Sequence, residues 1–172
     1  MGLLAVIVIG HDRPGIIADA TEALAATGGN LEDSSMTLLR GHFVMSLVVR
    51  TQTAKSDVEA ALRPRFDAHE LDVVVMELDD SSAAGGQGES FVLSVHGADQ
   101  VGIVAAMTRV LADHGANITD LTTRLAGGLY LLVAEAQVPA SVDGEALAAA
   151  VEAKAAELGV EARWRAADTD LL

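Results

Sequence analysis

Gly10-His11-Asp12-Arg13-Pro14-Gly15-Ile16 and Gly97-Ala98-Asp99-Gln100-Val101-Gly102-Ile103 lie 87 residues apart in a chain of 172. Each follows a short apolar run, Leu4 to Ile9 in the first case and Phe91 to Val95 in the second. Each precedes apolar residues at helical spacing: Ile16, Ile17, Ala20 and Leu24, or Ile103, Met107, Val110 and Leu111. A strand that breaks at glycine and turns into a helix is therefore expected twice.

The repeat extends well beyond these loops. Shifted by 87, residues 4–50 lie on 91–137 without a gap and share 14 identities in 47 positions. Chance in so Ala-, Leu- and Gly-rich a sequence gives about a tenth. The shared residues include Gly28/Gly115, Asn30/Asn117, Asp33/Asp120 and Gly41/Gly128. These are residue types that turns select for their backbone geometry. The chain is read as an internal duplication, with domains at 1–79 and 90–168. Between them a Gly/Ser-rich linker, 80–89, shows no apolar period.

Within each copy the pattern reads strand, helix, strand, strand, helix, strand. Gly28 and Gly115 suit the left-handed exit from a helix, and Pro14 suits a first helical turn. Leu31 to Leu39 and Ile118 to Leu125 are polar-rich strands, expected at an edge or interface. Phe43 to Val49 and Leu129 to Ala134 are strongly apolar, as in central strands buried on both faces. Ser56-x-x-Glu59 predicts a capping box for the second helix of copy one, and Pro64 predicts its end or a kink. The fold class is α+β: two ferredoxin-like βαββαβ domains in tandem, with antiparallel sheets and helices on one face. The oily central strands further predict that the helix-free face is covered, within the chain or in a homodimer.

Composition narrows the function. Eleven Lys and Arg against 25 Asp and Glu leave a net charge of −14. Such a chain repels phosphate backbones and anionic lipid, so direct nucleic-acid and membrane binding are not expected. There is no cysteine, which removes disulfides, thiolate metal sites and Cys nucleophiles. The longest apolar N-terminal run is too short to span a bilayer, and no basic segment precedes it. A cytoplasmic protein is expected.

Catalytic patterns are missing. The five histidines (His11, His42, His69, His96 and His114) show no metal-ligand spacing and read as scattered surface residues. No Walker or G-x-S-x-G motif occurs, and neither a cofactor nor a metal is expected. What remains is the duplicated loop. A helix N-terminus offers free N–H donors for a carboxylate, and Gly15 and Gly102 allow close approach. Asp12 or Asp99 can accept from an ammonium group, and the Asn30 or Asn117 amide can donate and accept. Together these groups describe recognition of a free amino acid. The same residues also suit plain structural duties, with the aspartates capping a helix and the asparagines holding a turn. An acylphosphatase-like enzyme built on Arg13 and Asn30 is a third and weaker reading.

Asp12-Arg13-Pro14-Gly15-Ile16, then a helix, then Gly28-Gly29-Asn30-Leu31, resembles the signature of ACT domains. Asp99-Gln100-Val101-Gly102-Ile103 with Gly115-Ala116-Asn117-Ile118 resembles it in weaker form. Two such copies and little else are similar to the glycine cleavage system transcriptional repressor group of stand-alone tandem ACT proteins. The resemblance implies a non-enzymatic regulator that binds a small amino acid such as glycine or serine between adjacent ACT units. It implies a protein partner, either a DNA-binding regulator or a metabolic enzyme, and a homodimer. It carries ligand contacts onto Asp12, Arg13, Pro14, Gly15, Ile16 and Asn30, and onto Asp99, Gly102, Ile103 and Asn117. Aspartate stands where amino-acid-binding relatives often carry Asn, and Gln100-Val101 in place of Arg-Pro implies that the two pockets differ. The alternative is a ligand-free interaction or assembly module with vestigial pockets.

Overall fold

A computed structural model describes residues 2–66, 71–79 and 88–167. The chain divides into two compact units, Met1–Ser82 and Ala83–Leu172. Most of the expected linker, residues 80–87, lies outside the described residues.

Unit 1 runs β1 (Gly2–His11), α1 (Ile16–Ala26), β2 (Asn30–Leu39), β3 (His42–Thr51), α2 (Lys55–Phe66) and β4 (Leu71–Leu78). Unit 2 repeats the order with β5 (Gly88–Ala98), α3 (Ile103–Asp113), β6 (Asn117–Ala126), β7 (Leu129–Pro139), α4 (Gly144–Leu158) and β8 (Glu161–Ala166). The sheets are four-stranded, with orders β2-β3-β1-β4 and β6-β7-β5-β8, and every pairing is antiparallel. This is the βαββαβ fold, twice.

Each unit has its own core. Val6, Val8, Phe43, Met45, Leu47 and Val75 meet Ile16, Ala20, Leu24, Val58 and Leu62 from the two helices. In unit 2, Leu93, Val95, Leu132 and Ala134 meet Ile103, Met107, Leu111, Leu147 and Val151. The helices lie on one face, so the apolar strands are buried on that face only. Val44 and Val48 of β3 are half-buried, Ser46 is exposed, and Leu131 of β7 is 40% exposed. This corrects the expectation of central strands buried on both sides: β3 and β7 are central, but their second face is only partly buried.

The edge strands β2 and β6 are exposed along nearly their whole length. Both carry a bulge at the same place, between Leu31 and Asp33 and between Ile118 and Asp120. Two-residue turns join them to the next strand. Arg40 and Gly41 have φ of 50° and 85°, and Gly127 and Gly128 have 59° and 83°, the double left-handed geometry of a type I′ hairpin.

Local expectations fail at three points. Pro14 lies in the turn before α1 and not inside it. Ser56 is already inside α2, whose first turn closes on the Ala54 carbonyl, bonded by the N–H groups of Asp57 and Val58 at 3.0 and 3.2 Å. No capping box forms there; the side-chain cap belongs instead to α4, where Asp143 accepts from the N–H groups of Glu145 and Ala146. Pro64 sits within α2, which continues to Phe66, because Phe66 still packs into the core.

Candidate functional site

The strand-to-helix loops are built alike. The Asp12 N–H donates to the Gly41 carbonyl and the Asp99 N–H to the Gly128 carbonyl, both at 3.4 Å. The tip of each hairpin thus anchors the loop beside it. Gly15 and Gly102 follow at φ 92° and 100°, a conformation that costs an L-residue about 1–2 kcal/mol. Ile16 and Ile103 then enter the core and begin the helices. Neither helix has a side-chain cap, so Asp12 and Asp99 do not serve as capping residues. Both aspartates, like Pro14, Gly15 and Gly102, are exposed.

The Arg13 guanidinium is engaged within its own unit. Its Nη2 lies 2.7 Å from the Asp19 carboxylate. It also donates to the Pro14 carbonyl at 3.1 Å and to the Arg65 carbonyl at 3.4 Å. Arg65 in turn reaches Glu22 at 3.2 Å. Gln100, its counterpart in unit 2, donates its side-chain amide to the Leu158 carbonyl. Arg65 and Leu158 both belong to the last turn of the second helix. Arg13 and Gln100 therefore tie the loop to the same place in each fold, and the replacement of Arg by Gln changes the means of attachment while keeping its target.

Asn30 and Asn117 open β2 and β6 and are exposed. Neither stands near the loop of its own unit. Asn30 pairs with Arg50, and Arg50 with Leu3, at the far end of β1 from Asp12. Asn117 pairs with Gln137, and Gln137 with Ser90. Nine residues of strand separate each asparagine's row from its aspartate, roughly 30 Å at about 3.3 Å per residue. The structure thus gathers Asp12, Gly15 and Ile16 in one place and sets Asn30 at the opposite end. It separates Arg13 from Asn30 in the same way, which removes the basis for an acylphosphatase-like centre.

Asn117 also lines a shallow groove of about 490 Å³ between α3 and β6, together with Thr108 and Arg109. At the equivalent positions unit 1 carries Asn30, Thr21 and Glu22. The charge beside the asparagine is therefore reversed, and it is position 22/109, not 13/100, that makes these two surroundings unlike.

Two of the histidines that the sequence scatters meet in the fold, while His69 lies outside the described residues. His11 and His42 face each other across β1 and β3, with ring centroids 5.3 Å apart, directly before Asp12. The strand register brings them together, and no spacing along the chain signals it. Among the described residues no cluster of three or more His, Asp or Glu side chains is arranged to hold a metal ion. No helix there is long and apolar enough to cross a membrane.

Fold and loops together define a tandem of two ferredoxin-like units with paired glycine turns at their first helices. The ACT domain family matches residues 3–76 and again 89–165. The chain belongs to the ACT domain family, as a tandem protein of the type that includes the glycine cleavage system transcriptional repressor. The repressor of that name from Escherichia coli is 26% identical over 167 residues, spanning 92% of this chain and 86% of that one. A UPF0237 protein of Methanosarcina mazei is 35% identical over 74 residues, 42% of this chain and 80% of its own length. A crystal structure of an unknown protein from Galdieria sulphuraria superposes with a TM-score of 0.81 at 28% identity, covering 97% of this chain and 99% of that one.

Proposed function

We propose that this protein is a cytoplasmic, non-enzymatic regulator that binds a small amino acid, with glycine or serine the first candidates, and passes its state to a protein partner. The observation that carries the reading is the pair of helix N-termini left without a side-chain cap behind left-handed Gly15 and Gly102. Free N–H groups and the positive end of the helix dipole suit a carboxylate. Exposed Asp12 and Asp99 stand in the same loops to take an ammonium group. Asn30 and Asn117, too far from the aspartate of their own unit, would complete such a site from a second copy of the fold.

The net charge of −14 favours action through a DNA-binding regulator or a metabolic enzyme over direct contact with nucleic acid. The E. coli relative is named as a repressor of the glycine cleavage system, which makes control of amino-acid metabolism the first process to test. Binding would act by favouring one arrangement of the protein over another, in proportion to the difference in affinity for the two.

Calorimetric titration with glycine, serine and a panel of other amino acids tests this. The expected result is saturable heat with at least one of them, lost in a variant combining Asp12→Ala and Asp99→Ala. Absence of heat from every amino acid at high protein concentration overturns the reading and favours the assembly module with vestigial pockets.

A further inference from the structure

We propose that His11 and His42 together bind one divalent transition-metal ion of the zinc, nickel or copper class. The two stand directly opposite each other at the end of the β1–β3 ladder. Both are exposed, on the helix-free face of unit 1. Their ring centroids are 5.3 Å apart, with the planes tilted by 32°. Two imidazoles sharing one ion at metal–nitrogen distances of about 2.0–2.1 Å carry their centroids roughly 4.5–5.2 Å apart, for N–metal–N angles between about 90° and about 110°. The observed separation lies at the tetrahedral end of that range. Rotation of the two rings about their side-chain bonds then brings one nitrogen of each to a common point, with the backbone unmoved.

Strand pairing organises this pair in advance. Residues opposed across an antiparallel ladder hold their Cβ atoms about 4.5–5.5 Å apart, so binding fixes side-chain torsions and closes no loop of chain. Imidazole nitrogen suits zinc, nickel and copper, whereas magnesium and calcium take oxygen ligands. The chain's 25 Asp and Glu residues attract any cation, but converging nitrogens select between these two classes. Two protein ligands leave the remaining coordination positions to water, the arrangement of an open site and not of a closed structural one.

The duplication supplies a control. Unit 2 carries Ala98 opposite Leu129 in the same register, and it keeps the bond beside them, from the Asp99 N–H to the Gly128 carbonyl. Neither the fold nor the loop anchor therefore requires the histidines. In unit 1 they flank that anchor along the chain: His11 precedes Asp12, and His42 follows Gly41. The bond between Asp12 and Gly41 is 3.4 Å, long for an N–H···O contact. An ion shared by His11 and His42 fastens the end of β1 to the start of β3 at this point, and so holds the strand-to-helix loop of unit 1 in place.

Zinc chloride titrated calorimetrically into the metal-free full chain, with no amino acid present, is expected to bind at one ion per chain, and magnesium chloride to give no saturable heat. His11→Ala and His42→Ala are each expected to weaken zinc binding by more than about tenfold, the least that losing even an outer partner of a metal ligand costs. His96→Ala and His114→Ala are expected to bind zinc as the wild type does. Ala98→His with Leu129→His, which installs the pair in the sister unit, is expected to raise the stoichiometry to two. Wild-type NMR needs no variant to fold: zinc is expected to shift the ring protons of His11 and His42 and to leave those of His96 and His114 in place. Absence of saturable zinc binding, binding that survives both single alanine variants, a grafted pair that takes no ion, or ring-proton shifts confined to other histidines overturns the proposal.

Discussion

Arg13 and Asp19 form a 2.7 Å ion pair that folds the strand-to-helix loop of unit 1 back onto its own helix. The corresponding residues of unit 2 are Gln100 and Ala106, so the cation and its anion have been exchanged together, while the tie to the end of the second helix is retained. Arg13 is thus a strap. We expect Arg13→Ala to lower stability by about 1–2 kcal/mol, the usual worth of a partly exposed ion pair with two exposed hydrogen bonds to carbonyls. Amino-acid affinity should change by less than about threefold, because a lost charged contact to a ligand would cost about 1.5–3 kcal/mol. Arg13→Gln should recover part of the stability. Urea denaturation and calorimetric titration on the same variants separate the two roles, and a binding loss much larger than the stability loss would show Arg13 to be a ligand contact.

Gly29 and Val49 form a second exchange between the units. A Cβ at position 29 would lie 2.8 Å from Val49 Cγ1 and 3.0 Å from the Leu24 carbonyl oxygen. Unit 2 carries Ala116 and Ala136 at these places, so a methyl group gained in the loop is balanced by two lost from the strand. The backbone is otherwise the same: the N–H of Gly29 bonds the Leu24 carbonyl at 2.9 Å and that of Ala116 the Leu111 carbonyl at 3.0 Å. We expect Gly29→Ala alone to destabilise by about 1–3 kcal/mol through overpacking. Val49→Ala, which opens a cavity in the wild type, should cost less in the presence of Gly29→Ala. A double-mutant cycle in urea is expected to give a favourable coupling above about 1 kcal/mol. Simple additivity would mean that the two sites relax independently.

Gly15 and Gly102 offer a cleaner test of backbone strain, because the space around them is permissive. A Cβ at 15 would stand 3.6 Å from Arg13 Nη1, and one at 102 would meet nothing within 4 Å. Only the left-handed φ of 92° and 100° resists substitution. Ala at either position should therefore cost about 1–2 kcal/mol of stability without any change in packing. If these turns also hold a carboxylate, the same variants should weaken amino-acid binding. Equal thermal shifts with and without ligand across wild type and variants would show the turns to be structural alone.

The fold was legible because the signals that specify it are local and occur twice. Gly28 and Gly115 punctuate helix exits at φ 71° and 74°, and the apolar runs Phe43 to Val49 and Leu129 to Ala134 mark the central strands. The error over the second face came from counting apolar residues without their period. Val44 and Val48 are hydrophobic but half-exposed, and composition cannot distinguish a covered face from an open one. Ser56-x-x-Glu59 misled because the chain enters α2 at Lys55, two residues earlier than the motif requires. The candidate site was only half legible. Its loops follow from adjacent residues, whereas the roughly 30 Å between Asp12 and Asn30 depends on strand direction, as does the His11–His42 pair. The function of Arg13 was hidden because its partners, Asp19 and the Arg65 carbonyl, meet it only in the folded chain.

The separation of Asp12 from Asn30 leads to a sharp test of a composite site. An amino acid a few ångströms long cannot touch both residues of one unit, which occupy opposite ends of the same sheet. If an asparagine completes a site, it must come from a second copy of the fold. Each aspartate then has one asparagine partner, and the other asparagine is a bystander to it. We expect Asp12→Ala to couple with one of Asn30→Ala and Asn117→Ala by more than about 1 kcal/mol in ligand affinity, and to be additive with the other within about 0.5 kcal/mol, the limit for residues without shared contacts. Calorimetric titration of the three single variants and of the two pairs that include Asp12→Ala reads this directly. Coupling to Asn117 assigns the site to the two different repeats, and coupling to Asn30 assigns it to the same repeat in two chains. Additivity in every pair would leave the aspartate loops as the whole of any binding site, with Asn30 and Asn117 serving only to start β2 and β6 ahead of their bulges.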